Sequence, residues 1–172
     1  MAAGGARRRS WTPAYIGLGS NLDDPVDQVR RAFDELAALP GCRLVACSRL
    51  YRSDPVGCTD QPRFVNAAAG LLTGSTAREL LAALKHIEAG HGRRRDGDRW
   101  GPRTLDLDLL AFGRACIEEA GLRVPHPGIA SRSFVLQPLA EIAPDLQLPG
   151  QGTVARLAAA CDTRGLELVT AT

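Results

Sequence analysis

Apolar and polar residues alternate near the start of the chain in a pattern that predicts a strand followed by a helix. The apolar run at residues 15–18 predicts a buried strand, which we expect to end in a turn at residues 19–21. Asp24 stands where an N-cap is needed, with Pro25 at the first helical position. Apolar residues of the helix then recur at Val26, Val29, Phe33 and Leu36.

Later segments predict further strands and helices. Strands are predicted at residues 44–51, 64–73 and 104–112, with a terminal strand at 166–169. Thr76 and Glu79 form a capping box that begins a second helix. Apolar residues of the remaining helices are Leu80, Leu84 and Ile87, then Val135, Leu139 and Ile142, then Val154, Leu157 and Cys161. This order predicts an α+β, ferredoxin-like fold, a single domain with helices packed on a mostly antiparallel sheet.

Two segments without periodicity are predicted to be long loops. Residues 53–63 are rich in proline and glycine, and residues 92–103 carry five arginines among glycines and aspartates. The basic start of the chain lacks the apolar stretch of a signal peptide. We therefore interpret residues 1–12 as a disordered leader and residues 13–172 as the domain.

Composition excludes several classes of protein. A net charge of +2 over 172 residues is too small to indicate a nucleic-acid or membrane partner, and no apolar run approaches the length of a bilayer span. The five cysteines show neither paired spacing nor neighbouring histidines, which argues against a zinc site or a disulfide framework. We expect a soluble, cytoplasmic monomer that binds neither nucleic acid nor membranes.

The fourth predicted strand, at residues 104–112, carries two acidic residues at alternate positions. Side chains alternate between the faces of a strand, so Asp106 and Asp108 share one face while Leu105, Leu107 and Leu109 share the other. Two carboxylates about 6–7 Å apart repel each other unless cations lie between them, and magnesium suits such a pair. An amphipathic strand with a wet acidic face is the alternative.

Neighbouring residues favour a phosphate ligand. Arginines at 93, 94, 95, 99 and 103 precede the acidic pair, and guanidinium groups bind phosphate oxygens bidentately. A solvated basic loop is the alternative interpretation. Gly17 and Gly19 resemble the start of a dinucleotide fingerprint, but Leu22 replaces its third glycine, and the chain has no P-loop motif. We interpret these glycines as part of a structural turn.

The segment at residues 99–109, Arg-Trp-Gly-Pro-Arg-Thr-Leu-Asp-Leu-Asp-Leu, resembles the signature of the 6-hydroxymethyl-7,8-dihydropterin pyrophosphokinase family. Similar pieces follow the family order at residues 14–22, 51–53, 60–62, 66–68, 124–126 and 132–134. The resemblance covers residues 14–149. It implies a ferredoxin-like fold and a magnesium-dependent enzyme of folate biosynthesis, which would transfer the β,γ-diphosphate of ATP to the hydroxymethyl group of the pterin and release AMP.

The resemblance also implies roles for individual residues. Two magnesium ions would be held by Asp106 and Asp108, and charge on the transferring group would be neutralised by Arg93 and Arg103. The nucleotide would be bound by Arg95, Leu107, His126 and Arg132. The pterin would contact Ser53, Asp54, Val56, Phe64, Asn66, Trp100 and Phe134. Lys85 and Glu88 fall where relatives have nucleotide-site residues.

Four residues depart from the pattern of the family. Asp54 replaces a common proline, Phe64 a tyrosine and Pro127 an aromatic residue, while Gly121 stands where some relatives have arginine. These departures bear on loop closure and affinity rather than on the reaction. The residues identify no general base.

Two other functions are compatible with paired aspartates or with this type of sheet. A nucleotidyltransferase would attack the α-phosphorus of ATP and release pyrophosphate instead of AMP. A small RNA-binding module would carry exposed aromatic residues on its strands, whereas aromatic residues make up only 5% of this chain and are dispersed.

Overall fold

An antiparallel sheet with helices on both faces forms the centre of the structure. This computed structural model describes residues 10–57, 60–92 and 101–170. The strands are β1 (Thr12–Ser20), β2 (Cys42–Cys47), β3 (Tyr51–Ser53), β4 (Phe64–Thr73), β5 (Asp106–Phe112), β6 (Ile117–Glu119), β7 (Leu122–Val124), β8 (Gln147–Leu148), β9 (Gly152–Thr153) and β10 (Leu166–Leu168). The helices are α1 (Pro25–Ala37), α2 (Ala77–Gly90), α3 (Ser133–Ile142) and α4 (Val154–Ala160), with a 3-10 turn at Ile129–Ser131.

The main sheet has the order β10-β3-β4-β1-β5, and β2 pairs with β4 beside β3. Every pair in this sheet is antiparallel. The central strands β1 and β4 are therefore hydrogen-bonded on both sides, which suits the small and apolar residues that they carry. Two short hairpins, β6–β7 and β8–β9, lie outside this sheet.

Helices cover the two faces of the sheet unequally. The apolar stripes of α1 and α2 pack on one face, against residues that include Ile16, Leu71 and Leu107. On the other face, Leu139 of α3 belongs to a smaller core with Ala68 and Leu110. The second face is covered only in part, and its open part holds the cavity described below. Among the described residues, no helix is long and apolar enough to cross a membrane.

Both helix starts that the sequence predicts are confirmed. The Asp24 side chain accepts a hydrogen bond from the Asp27 amide at the beginning of α1. At α2, the Thr76 hydroxyl accepts from the Glu79 amide, and the Glu79 carboxylate accepts in return from the Thr76 amide. The strand predicted at residues 64–73 has the bounds of β4.

The strands predicted at residues 15–18, 104–112 and 166–169 correspond to β1, β5 and β10 with bounds that differ by up to three residues, while one further strand and one turn differ in kind. The strand expected at residues 44–51 is divided into β2 and β3, because the Ser48 hydroxyl accepts the hydrogen bond of the Ala68 amide and interrupts regular pairing. The turn expected at residues 19–21 is wrong for Gly19 and Ser20, since β1 continues to Ser20. Gly19 pairs with β4 on one side and β5 on the other, so strand geometry satisfies its backbone.

Substitution of Thr76 by alanine should destabilise the protein by about 1 kcal/mol, because it removes the oxygen that caps α2. Urea unfolding followed by circular dichroism measures this change. Ser75→Ala is the control, since the Ser75 hydroxyl takes no part in the hydrogen bonds of the described residues while its backbone amide does. Equal losses for both variants would contradict a capping role.

Candidate active site

The acidic pair lies on the open face of the sheet. Burial of Leu107 in the core forces its neighbours Asp106 and Asp108 to project from the opposite face of β5. In the register with β1, Asp106 is opposite Gly19 and Asp108 is opposite Gly17. Directly opposite residues share a face, so each carboxylate has a neighbour without a side chain.

The two glycines of β1 keep the floor of the site open. A Cβ atom on Gly17 would lie 3.2 Å from Cδ2 of Leu110, and one on Gly19 would lie 3.4 Å from Oδ1 of Asn66. Neither glycine has a positive φ angle. A side chain at Gly17 would therefore crowd Leu110, and one at Gly19 would occupy space beside Asn66. Neither glycine forms the turn that the sequence suggested.

A cavity of about 490 Å³ extends over this face, a volume in the usual range for small-molecule sites. One end is lined by charged and polar residues, namely Lys85, Arg103, Asp106, Asp108, His126 and Arg132. The other end is lined by Ser53, Asp54, Val56, Phe64, Asn66 and Phe134. A single cavity thus joins an anion- and cation-binding end to an end with aromatic rings and an amide.

Arg103 is held beside the acidic pair by its backbone and by its side chain. Its guanidinium group forms an ion pair with Asp106. Its amide donates to Oδ1 of Asn21 at 2.7 Å, and its carbonyl accepts from the Asn21 amide at 3.0 Å. The Asn21 side chain also donates to the Pro62 carbonyl, so this buried residue links the arginine-rich segment to the loop before β4.

Asp108 and His126 face each other across the charged end. Nε2 of His126 lies 3.9 Å from Oδ2 of Asp108, and Nδ1 accepts a hydrogen bond from the Gly128 amide. Nδ1 is therefore unprotonated, and Nε2 carries the hydrogen of the neutral ring. Burial, followed by the charge of Asp106, raises the pKa of Asp108. Burial lowers the pKa of His126 despite the opposing effect of Asp108.

Glu88 braces the strand that carries the acidic pair. Its side chain is 2% exposed, and Oε1 accepts from the Leu107 amide at 2.8 Å. The same oxygen lies 3.1 Å from Nζ of Lys85, which reaches the cavity. A buried carboxylate requires such partners, and here they connect α2 to the backbone between Asp106 and Asp108.

The end that carries the aromatic rings is organised around Asn66. Nδ2 of Asn66 donates to Oγ of Ser53 at 2.8 Å, which links the neighbouring strands β4 and β3. The Asn66 side chain is buried, yet it lines the cavity. Phe64 from β4 and Phe134 from α3 line the same end, and Arg132 lies over the Phe134 ring at 5.9 Å. An amide beside aromatic rings suits a flat heterocycle with donors and acceptors at its edge.

The donor set fits magnesium in the presence of a phosphate ligand. Within the described ranges, no group of three or more His, Cys, Asp or Glu side chains is arranged to hold a metal ion. Magnesium is commonly bound through one or two carboxylates, with water and substrate phosphates as its other ligands. Asp106 and Asp108 therefore provide what magnesium needs from the protein when a polyphosphate is present.

Comparison with known proteins decides the family. The model of the family described as 7,8-dihydro-6-hydroxymethylpterin-pyrophosphokinase (HPPK) matches residues 15–144. The chain belongs to this family. The 2-amino-4-hydroxy-6-hydroxymethyldihydropteridine pyrophosphokinase of Pseudomonas aeruginosa is 52% identical over 153 residues, which cover 89% of this chain and 94% of that protein. The protein of the same name from Methylorubrum extorquens is 47% identical over 158 residues, 92% of this chain and 99% of that protein.

Solved structures support the fold independently. The HPPK-DHPS protein of Plasmodium falciparum, crystallised with pteroate, superimposes with a TM-score of 0.73 at 12% identity, covering 96% of this chain. The present chain spans about half of that longer protein, 48% of its length. The comparisons confirm the predicted HPPK family, the ferredoxin-like α+β fold and the enzyme class, a pyrophosphokinase.

Most site residues predicted for this HPPK family member meet in the cavity. Of the predicted site residues, those that line it are Ser53, Asp54, Val56, Phe64, Asn66, Arg103, Asp106, Asp108, His126, Arg132 and Phe134. Leu107 does not line it, because strand alternation turns its side chain into the core; the whole residue is buried, and its amide donates to Glu88. Arg93, Arg95 and Trp100 lie outside the described residues.

The sequence interpretation missed the contribution of Asn21, Gly17 and Gly19. Asn21 comes directly after a buried strand, and a polar residue at the end of such a strand is the feature of the sequence that points to a role in the site. Lys85 and Glu88 had been noted only through the resemblance, and the structure separates them. Lys85 reaches the cavity, while Glu88 holds the β5 backbone.

Asp108→Asn should raise the melting temperature of the ligand-free, metal-free protein near pH 7. The pKa of Asp108 is raised in the folded protein, so the folded state holds this proton more tightly than the unfolded chain. Ionisation therefore costs stability as the pH rises through the unfolded pKa towards the folded one. The advantage of the variant should shrink below about pH 4, where the unfolded carboxyl is protonated too.

Scanning calorimetry in the presence of a chelator measures this effect. Asp145→Asn, at an exposed position, is the control. A lower melting temperature for Asp108→Asn near pH 7 would mean that attraction to His126, Lys85 and Arg132 outweighs burial and repulsion by Asp106.

Proposed function

We propose that this protein transfers the β,γ-diphosphate of ATP to the hydroxymethyl group of 6-hydroxymethyl-7,8-dihydropterin, releasing AMP, as a step of folate biosynthesis. The observation that carries the proposal is one cavity in which the Asp106–Asp108 pair and its cationic neighbours adjoin the Asn66 amide and two phenylalanine rings. A triphosphate suits the charged end and a pterin suits the other. Membership of the HPPK family supports the same reaction.

At the charged end, we assign two magnesium ions to Asp106 and Asp108. Bound magnesium would supply positive charge that orients and neutralises the oxygens of the triphosphate. Arg103, already paired with Asp106, can place its guanidinium group on charge that develops on the transferring group. His126 offers Nε2–H as a hydrogen-bond donor, and Arg132 adds a further cation.

The assignments of Arg93, Arg95 and Trp100 rest on the sequence resemblance. Arg93 would share the neutralisation of charge with Arg103, Arg95 would bind nucleotide phosphates, and Trp100 would cover the pterin. We propose no nucleotide contact for Leu107, since the residue is fully buried and its amide is bonded to Glu88.

At the other end, Asn66 would bind the edge of the pterin ring. Its hydrogen bond to Ser53 uses one amide hydrogen and fixes the orientation of the side chain, leaving Oδ1 and a second hydrogen for a ring that has donors and acceptors. Phe64 and Phe134 would contact the faces of the ring. Backbone groups between Ser53 and Val56 would complete recognition.

The protein would catalyse the reaction chiefly by positioning its two substrates. The pterin hydroxyl would attack the β-phosphorus in line, with the two substrates held at adjoining ends of one cavity. Arg103, His126 and Arg132 would hold the phosphates and place positive charge or hydrogen-bond donors on them. Hydroxyl and phosphate are thereby brought together without covalent participation of the protein.

We also propose the bounds of the domain and the compartment in which it works. We assign residues 13–172 to one pyrophosphokinase domain that works in the cytoplasm. In support, the cysteines of the described residues, Cys42, Cys47, Cys116 and Cys161, are all free thiols, as a reducing compartment favours.

Purified protein incubated with magnesium, ATP and 6-hydroxymethyl-7,8-dihydropterin should form AMP and a diphosphorylated pterin in equal amounts. Asp106→Asn and Asp108→Asn should lose turnover and keep the circular dichroism spectrum of the wild type, because an amide is a far weaker magnesium ligand than a carboxylate. Chromatography of the products measures the outcome, with Asp145→Asn as the control. Release of pyrophosphate would assign the protein to the nucleotidyltransferases, and near-normal turnover by either variant would exclude the pair from metal binding.

Asn66→Ala should weaken pterin binding by roughly 1–3 kcal/mol and leave nucleotide binding unchanged, because, of the two ligands, only the pterin loses a hydrogen-bonding partner. Calorimetric titration of each ligand measures the two effects separately, with the nucleotide titration as the internal control. Equal losses for both ligands would count against a specific contact with the pterin.

A further inference from the structure

One guanidinium group joins the two described ends of the loop that follows β3. This loop leaves β3 at Asp54 and enters β4 after Arg63, and its described parts are residues 54–57 and 60–63. Nε of Arg63 lies 2.8 Å from Oδ1 of Asp54, an ion pair by distance, although Nε–H forms no hydrogen bond there. The first and last residues of the loop are thus held together by charge.

The same guanidinium group reaches the C-terminal strand. Nη1 of Arg63 donates to Oε2 of Glu167 at 3.0 Å, and Nη2 donates to the Gly165 carbonyl at 2.9 Å. The Asp54 amide donates to that same carbonyl at 3.2 Å. We call these four residues, Asp54, Arg63, Gly165 and Glu167, the Arg63 clamp.

Backbone geometry brings the C-terminal strand close enough for these contacts. β10 pairs with β3, with Leu166 opposite Ser53. Gly165 has a φ angle of 73°, and a Cβ atom there would lie 2.3 Å from Oδ2 of Asp54. A side chain at this position would displace Asp54, so glycine allows the close approach. β10 also lies beyond residues 15–144, the part of the chain that the HPPK family model matches.

Asp54 of the clamp and the residues next to it line the end of the cavity that carries the aromatic rings. Ser53 and Val56 flank the Asp54 side of the clamp, and Phe64 directly follows Arg63. A shift of either loop end would therefore move a residue that lines the cavity. We infer that the Arg63 clamp is a positioning device for the pterin, through which the C-terminal strand holds the loop ends in place. This inference rests on the function proposed above.

Charge and exposure determine how much stability the protein should lose when an ion pair of Arg63 is removed. The Arg63 side chain is 34% exposed, and both carboxylates are about two-thirds exposed, so solvent weakens each ion pair. Global stability should change little when one pair is lost. The guanidinium group nevertheless contacts three partners at once, two through hydrogen bonds and Asp54 through the ion pair, and a lysine could not span all three.

Arg63→Gln should raise the pterin dissociation constant about three- to tenfold, measured by calorimetry with a non-hydrolysable ATP analogue and magnesium present. The nucleotide dissociation constant and kcat should change less than twofold, while KM for the pterin rises. Arg63→Lys should restore part of the affinity, and Glu167→Gln should show a smaller loss. Arg78→Gln, which removes an exposed Arg–Glu pair away from the cavity, is the matched control.

Amide hydrogen exchange of the ligand-free protein tests the clamp without reference to substrate. Exchange at residues 51–57 and 166–168 should be faster in Arg63→Gln than in the wild type or Arg78→Gln. Unchanged exchange would overturn the clamp, and faster exchange with unchanged pterin affinity would overturn its positioning role. A wild-type protein that binds no pterin would refute the proposed function instead, and exchange would still show whether the clamp restrains the loop.

Discussion

Burial of one face of β5 is the constraint on which the site depends. Leu107 and Leu109 belong to the core beneath α1 and α2, so the backbone cannot rotate without exposing them. Strand alternation then fixes Asp106 and Asp108 on the opposite face. The hydrophobic effect thereby holds two mutually repelling carboxylates side by side, an arrangement that the carboxylates themselves oppose.

The surrounding polar groups fix the strand and the side chains that hold these carboxylates. Glu88 secures the Leu107 amide from the helix side, and Arg103 pairs with Asp106 on the cavity side. His126 is fixed in one tautomer by the Gly128 amide, which turns a donor towards Asp108. Asp108 nevertheless keeps a raised pKa, so the ligand-free site holds unfavourable charge that a cation would relieve.

Links between distant segments connect the two ends of the cavity. Asn21 bonds to Arg103 at the charged end and to Pro62 in the loop of the other end. Asn66 joins β4 to β3, and the Arg63 clamp continues from β3 to β10. A chain of hydrogen bonds and ion pairs thus crosses the sheet from the acidic pair to the C-terminal strand, and the loops are held where substrates would meet.

Local patterns in the sequence were sufficient for the helix starts, for β4 and for the pairing of Asp106 with Asp108 on one face. Each of these depends on residues a few positions apart, where capping and alternation operate. The sequence resemblance added the family and most of the lining residues. The division between β2 and β3 could not be predicted, because it depends on the Ser48 hydroxyl meeting Ala68 in another strand.

Sequence alone therefore determined the fold class, the acidic pair and the chemistry that this pair suits. Tertiary structure decided that Gly17 and Gly19 form the floor beside the carboxylates, that Leu107 faces the core and that Glu88 supports β5. It also decided that Arg63 meets Glu167, more than a hundred residues farther along the chain. These contacts depend on register and on the packing of distant segments, which local propensity does not encode.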